Sequence, residues 1–295
     1  MQQPFRRIGI LAHPLRQGTA PIAQDIARWL EAHGIETWMR TAWDASRAQP
    51  LVENTDLVIA IGGDGAMLRA ARVCAPEHVP VLGVNTGHLG FLTEISPEDW
   101  QTALETLLRG EYWLENRMML RCEVRQRGME LAHGDALNDV VISRGAIARS
   151  VRLETYIDGG WATTYHGDGL IVASPTGSTA YGLAVGGPIL PPELKNILVV
   201  PIAPHLSMDR PMVLAQGSTI EVVVDPQSLT EVVLTIDGEL IASLESGDQV
   251  IVRASESVGQ FVRLRERNYF YRSLLDRLEP RVPARPPTPA ASIDK

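Results

Sequence analysis

Cysteine is nearly absent. The 295 residues contain only Cys74 and Cys122, too few and too far apart for a disulfide framework or a thiolate zinc site, so both are expected as buried thiols. Positive charge is also in short supply. Lys and Arg number 27 against 35 Asp and Glu, a formal net charge of -8, and a broad grip on nucleic acid or an anionic membrane needs a basic face that this balance does not provide. A small anionic ligand held locally remains compatible with it. No stretch approaches the ~20 continuous apolar residues of a membrane span, and Met1 to Arg7 has no apolar core of a secretory leader. No internal repeat is evident, which disfavours a solenoid or propeller. These absences together predict a cytoplasmic protein without nucleic-acid or membrane partners. The 45% hydrophobic content, in turn, is enough to bury a substantial core and favours two domains.

The first third alternates short apolar runs with helical patterns: Ile8 to Ala12, a helix from about Pro21 to His33, Leu57 to Ile61, then Ala66 to Val73. That rhythm predicts an α/β domain with a parallel sheet. Pro21 suits a first helical turn and Gly34 an end, and Ser96, Pro97 and Gly110 bracket a further helix. From Met118 the period drops to two, with Leu120, Cys122 and Val124 on one face and Arg121, Glu123 and Arg125 on the other. Turn signals at Asp158-Gly159-Gly160, Gly217-Ser218, Asp237-Gly238 and Gly247-Asp248 separate β-branched runs. The expected layout is an α/β domain over 1–115, a β-rich domain over 116–266 and a helix within 267–278 that packs back on the first domain. The Pro- and Ala-rich tail, 279–295, is expected to be disordered.

The sharpest motif is Gly62-Gly63-Asp64-Gly65, directly after the apolar run Leu57 to Ile61 and before an Ala-rich helical pattern. Glycines let backbone N–H groups approach an anion, and the helix that follows adds its positive end, so Gly62 and Gly63 read as a phosphate loop. Counted from Gly63 and Gly65, the third glycine of a dinucleotide fingerprint is replaced by Leu68, which weakens a hydride-transfer reading. A carboxylate beside a phosphate is repulsive unless it directs a hydroxyl proton or helps hold Mg²⁺, so Asp64 points to phosphoryl transfer. The plain alternative is a tight turn with Asp64 as a local cap.

Three further stretches carry polar groups in suggestive places. Asn138-Asp139 precedes the apolar run Val140-Val141-Ile142, suiting ribose hydroxyls or an ordinary Asx turn. Gly167-Asp168-Gly169, an apolar run and Ser174-Pro175-Thr176-Gly177-Ser178-Thr179-Ala180-Tyr181 form a strand flanked by small hydroxyl-bearing residues, with Tyr181 an aromatic face for a planar ring. His166 beside it is a phosphate contact or a structural histidine, and Arg149 a ligand contact or a solvated surface cation. Asn85 and Leu89-Gly90-Phe91-Leu92 follow the run Val79 to Val84, where α/β sheets place ligands; Phe91 lines a base pocket or packs in the core. Asp237-Gly238 reads as a hairpin turn.

In order and context these stretches resemble the NAD kinase family, across about residues 6 to 270, and the last block continues into Gly186-Gly187-Pro188 and Pro201-Ile202-Ala203-Pro204-His205. The resemblance implies an enzyme that phosphorylates the 2′-hydroxyl of the adenosine ribose of NAD with ATP to give NADP, with NAD between an α/β domain and a β-rich domain. It implies that Asp64 is the catalytic proton acceptor, and that Gly65, Asn138, Asp139, Thr179, Ala180, Tyr181, Gly182, Leu183 and Ala184 touch substrate, with Phe91 at the adenine. Arg149, His166 and Asp168 correspond to further contacts. It also implies a divalent metal ion, Mg²⁺ or Mn²⁺, arriving with ATP, and a homodimer or homotetramer with parts of the NAD site near a subunit boundary. Many bacterial members carry arginine where this chain has His166, a departure that bears on the choice between NAD and NADH. Diacylglycerol and sphingoid-base kinases resemble the family in their Gly-Gly-Asp-Gly loop, but no basic amphipathic helix for a membrane surface is evident here. A non-catalytic nucleotide-binding module would not need Asp64.

Overall fold

The parallel strands form where the sequence is continuously apolar. Leu57–Gly62 is buried at every position and pairs in parallel with Arg7–Ala12 and Val81–Asn85, while Glu36–Thr41 completes that side. Strands that read apolar throughout need cover on both faces. Helix Thr19–Ala32 brings Ile26 and Leu30, and helix Trp100–Leu108 brings Leu104 and Leu107, into a core with Ile8, Ile10 and Ile59. Opposite, helix Asp64–Cys74 packs Met67, Ala70 and Ala71 against Leu11, Val58 and Ala60. Spacings of three and one put those residues on one stripe, and alanine keeps the helix close to the strands. Each Leu or Ile so buried contributes roughly 1.5–3 kcal/mol. The computed structural model describes residues 5–278 except 17, 42–44, 88–89, 148, 206, 227 and 229–230; the expected disordered tail lies outside the described residues.

The parallel strands do not end in a sheet of their own. They continue through one parallel pairing, Val81 with Phe261, into the long strand Gln249–Arg263, and from there into Ile220–Val224, Val151–Ile157 and Gly160–Gly167. Trp113–Gln126 runs antiparallel along the other edge of Gln249–Arg263 and pairs in turn with Met129–Ala136. This ten-stranded sheet faces a second, six-stranded antiparallel sheet, ordered Met212–Ala215, Asn196–Ile202, Gly169–Ala173, Asp139–Arg144, Val232–Ile236 and Glu239–Leu244. Leu120, Cys122 and Val124 point into the core between the sheets, as their alternation predicts, with Val140, Ile142, Leu170 and Val172 opposite. The outer face of the six-stranded sheet, Val141, Ile171, Leu198 and Val200, is covered by Leu190 and Val185. The expected C-terminal helix is present as Tyr269–Leu278, in a separate compact unit that begins at Arg265. Among the described residues no helix is long and apolar enough to cross a membrane.

Candidate functional site

The phosphate loop is shaped by what its glycines leave out. A Cβ on Gly62 would press on Ala66 Cβ, so strand and helix could not meet so tightly. Gly63 is extended and caps helix Asp64–Cys74, placing Asp64 in the first turn, where a carboxylate complements the helix dipole. Asp64 is then fixed by a neighbouring loop: the amide of Phe91 donates to Oδ2 at 2.9 Å and that of Leu92 to Oδ1 at 3.1 Å. Gly90 is essential to this grip, since any side chain there would overlap the Asp64 carboxylate. Asn85 shapes the same loop, donating from Nδ2 to Gly87 O at 2.7 Å; Leu89 falls outside the described residues. Beside Gly65 lies open space, part of a cleft of about 420 Å³ lined by His13, Leu15, Arg16 and Gly63 to Ala66.

The Asn138-Asp139 pair and the turn after Gly169–Ala173 are built together. The amide of Ser174 donates to Asn138 O at 2.8 Å, Ser174 Oγ donates to Leu137 O at 2.5 Å, and Gly177 packs so closely on Asn138 that a Cβ would overlap its carbonyl. Thr179 Oγ1 donates to Thr176 O at 3.1 Å and the Ala180 amide to Gly177 O at 2.9 Å. Tyr181 opens the short helix Tyr181–Ala184 and is 44% exposed; Gly182 is buried, Leu183 half-buried and Ala184 exposed.

Asp237 explains why Asn138-Asp139 is so firmly held. It occupies a hairpin turn, as its sequence suggests, with φ of 49° followed by 78° at Gly238. Its side chain turns inward, where Oδ1 accepts the amides of Asn138 and Asp139 at 2.8 and 3.2 Å and Oδ2 that of Leu137 at 3.0 Å. Burial raises the Asp237 carboxyl despite these amides. Burial, reinforced by the Asp237 charge, pushes Asp139 up to about 7. From helix Asp64–Cys74, Arg69 and Arg72 both pair with Glu239, and Arg72 approaches Asp237 at 4.0 Å. Leu137, Leu92 and Met67 share one core cluster. The Asp64 loop and the Asn138 loop are thus braced against one another.

Two family models match this chain, one for the C-terminal domain of ATP-NAD kinase over residues 137–264 and one for its N-terminal domain over residues 48–112. An NAD kinase of Chloroflexus aggregans is 43% identical across 93% of this chain and 99% of its own length, and one of Moorella thermoacetica is 41% identical across 93% and 90%. This chain belongs to the NAD kinase family. A solved yeast NADH kinase, complexed with NADH, superposes with a TM-score of 0.84 at 25% identity, over 97% of this chain and 91% of that one. An NAD kinase from Archaeoglobus fulgidus shares the fold, with a TM-score of 0.71, 24% identity and coverage of 91% and 97%.

Not every residue assigned from the NAD kinase family pattern gathers at this inner site. Arg149, His166 and Asp168 lie at the far end of strand Gly169–Ala173, which pairs Gly169 with Ser143 and Ala173 with Asp139, so about 13 Å of strand separates the two groups. There Asp168 pairs with Arg144 at 3.0 Å, His166 Nε2 meets Ser150 Oγ at 2.7 Å, and Arg149 is exposed. Two inner residues escaped the sequence reading. Arg16 extends its guanidinium over the Gly63 and Gly87 backbones, within 3.5 Å of Thr86 Oγ1. Beside it, burial followed by the Arg16 and Arg69 charges lowers the His13 pKa. The usable signal was positional: both lie in the loop that follows the first parallel strand, at the same carboxyl end of the strands as the glycine loop.

Proposed function

We propose that this chain transfers the γ-phosphoryl group of ATP to the 2′-hydroxyl of the adenosine ribose of NAD, giving NADP. The observation that carries the reading is the Asp64 carboxylate, fixed by two backbone amides at the mouth of a strand–glycine–helix phosphate loop with open space at Gly65. Each carboxylate oxygen accepts one amide and keeps a further lone pair, so Asp64 can still accept the proton of the attacking hydroxyl and orient its oxygen. The glycine backbone, the helix N-terminus and Arg16 supply positive potential for the phosphates. Among the described residues no group of three or more His, Cys, Asp or Glu side chains is gathered to hold a metal. The Asp64 carboxylate, in the first turn of its helix beside the phosphate loop, suits a divalent cation that arrives on the ATP phosphates, where Mg²⁺ or Mn²⁺ would neutralise charge. Asn138, Asp139 and the Thr179–Ala184 segment form the acceptor side, with Phe91 toward the adenine.

The separation of Arg149, His166 and Asp168 from the inner group supports a site completed by a second copy of the chain, in a homodimer or homotetramer. Two free, buried cysteines suit residence in the reducing cytoplasm. The direct test is incubation with NAD, ATP and Mg²⁺: NADP forms, and Asp64→Asn lowers kcat by ~10²- to 10⁴-fold while calorimetric NAD affinity changes far less. Normal turnover with lost NAD affinity would remove Asp64 from the chemistry. For the assembly, mixing Asp64→Asn chains with Asp168→Ala chains, each impaired alone, raises activity above the sum of the two, because mixed oligomers rebuild one intact site. Absence of complementation in verified mixed oligomers contradicts the shared site.

A further inference from the structure

Four charged side chains lie where charge is costly to bury. Glu115 and Arg117 on strand Trp113–Gln126, Glu94 in the loop after Val81–Asn85, and Arg263 at the end of Gln249–Arg263 are all buried, Arg263 completely. Arg263 donates from Nε to Glu115 Oε2 at 2.8 Å and from Nη1 to Glu94 Oε2 at 3.1 Å, and Arg117 Nε donates to the same Glu115 oxygen at 3.0 Å. Glu94 Oε1 also accepts the Leu264 amide at 2.9 Å. Both guanidiniums lie against the Phe261 ring, 5.6 and 5.5 Å from its centroid. Two cations and two anions cancel, which permits burial but does not require it, because apolar residues of equal volume often stabilise a core as well or better.

What apolar residues cannot do is donate hydrogen bonds, and each arginine directs one to a different loop of the site. Arg263 Nη1 donates to Leu92 O at 2.9 Å, and the amide of that same Leu92 holds Asp64 Oδ1. Arg117 Nη1 donates to Thr176 Oγ1 at 3.4 Å, in the turn that leads to Thr179 and Tyr181. We infer that Arg263 and Arg117 are positioning residues: Arg263 fixes the Phe91–Leu92 segment that orients Asp64, and Arg117 fixes the Thr176 turn that presents the acceptor side. The inference rests on the kinase reading above. It makes one buried ionic cluster the common reference for both halves of the site, so that the general base and the acceptor are held in register by a single object.

The test uses Arg263→Lys and Arg117→Lys in the full chain, which keep the charge but lose the planar fork that serves two acceptors at once. Displacements of ~1 Å at a reacting group cost up to ~10²-fold. Arg263→Lys is expected to lower kcat about tenfold with KM for NAD within about twofold, and Arg117→Lys to raise KM for NAD about fivefold with kcat little changed. In the double variant Asp64→Asn with Arg263→Lys, turnover stays close to that of Asp64→Asn alone, because no carboxylate is left to orient. Hydrogen exchange at Phe91 and Leu92 accelerates in Arg263→Lys. If either lysine variant fails to fold, Arg263→Gln and Arg117→Gln replace them. Additive losses in the double variant, or the same kcat and KM changes at both positions in proportion to lost folded protein, overturn the inference and leave a core fixture. Absence of NADP formation by the wild type defeats the kinase reading instead, while amide exchange at Phe91 and Leu92 still reports whether Arg263 holds that segment.

Discussion

The two ends of strand Gly169–Ala173 differ in how deeply their polar side chains are buried. At the Ala173 end, Asp139, Ser174, Thr176, Gly177 and Ser178 are buried and cross-braced by backbone hydrogen bonds, with the Asp237 carboxylate taking three amides. At the Gly169 end the backbone is also braced, with the Asp168 amide donating to Ile202 O and the Arg144 amide to Asp168 O. Arg149 is exposed there, however, Asp168 keeps 44% of its side-chain surface, and its pairing with Arg144 and that of His166 with Ser150 lie at the surface. An end that is complete within one chain has its geometry fixed by folding. One left half-open has its geometry finished by whatever docks there. The first should respond to substitution mainly through stability, and the second mainly through substrate choice.

The severest strain on that contrast is Gly177→Ala. Its new methyl group would overlap the Asn138 carbonyl, and forced overpacking of this kind costs about 3 kcal/mol. Urea unfolding should register the loss and NAD affinity should fall with it; a stable, fully active variant would mean that the inner turn is looser than its contacts imply.

The next effect depends on pH. Because the folded Asp139 carboxyl is raised to about 7, the folded state holds that proton more tightly than the unfolded chain does. This favours folding at low pH, and the advantage is lost as pH rises from about 4 to 7. Asp139→Asn removes that loss, so the unfolding free energy of the variant relative to wild type should grow between pH 5 and pH 8 by on the order of 2–3 kcal/mol. A difference that stays flat with pH would show an inner end open to water.

At the outer end the effects are smaller and of another kind. His166→Arg and His166→Gly should each change the NAD to NADH ratio of catalytic efficiencies by at least about threefold, roughly 0.7 kcal/mol. Oxidised nicotinamide is charged, reduced nicotinamide is not, and the neighbouring charge and size differ among these side chains. Ratios like wild type in both variants, at pH 6 and pH 8, would make His166 a bystander. Smallest of all, Asp168→Ala should shift the unfolding free energy by no more than about 0.5 kcal/mol, the scale of a half-exposed ion pair, even though it impairs turnover. A larger loss of stability would erase the distinction between the two ends.

Much of this was legible in the sequence because it was local. Period-two alternation over Leu120 to Val124, the continuous apolar run Leu57 to Ile61 and the glycines at 62 and 63 each state their own conformation. What stayed hidden depends on partners distant in sequence. Asp237 reads correctly as a turn residue, yet its side chain serves amides about a hundred residues earlier. Arg117 and Glu115 precede the alternation that begins at Met118, charges face water by default, and only Arg263 and Glu94 reveal why these two are inside. Strand Trp113–Gln126 also changes its buried face at Met118 to Leu120, beside the irregular pairing between Ala254 and Val258 of its partner. Alternation counted from Leu120 therefore misplaces the residues before it. The split of Arg149, His166 and Asp168 from Asp139 follows from strand register, which no motif encodes.

The pairing of Val81 with Phe261 also says something about time. As the chain leaves the ribosome, Ile95 covers the Gly83–Asn85 end of the last parallel strand within about ten residues, but the neighbour of Val81 arrives 180 residues later. That makes the enclosure of Asp64 a late event, since Arg263, which braces the Leu92 loop, belongs to that closing strand. Contacts of such long sequence separation slow the folding search and leave an exposed edge open to wrong partners meanwhile. Newly made chains should therefore acquire secondary structure well before they acquire activity.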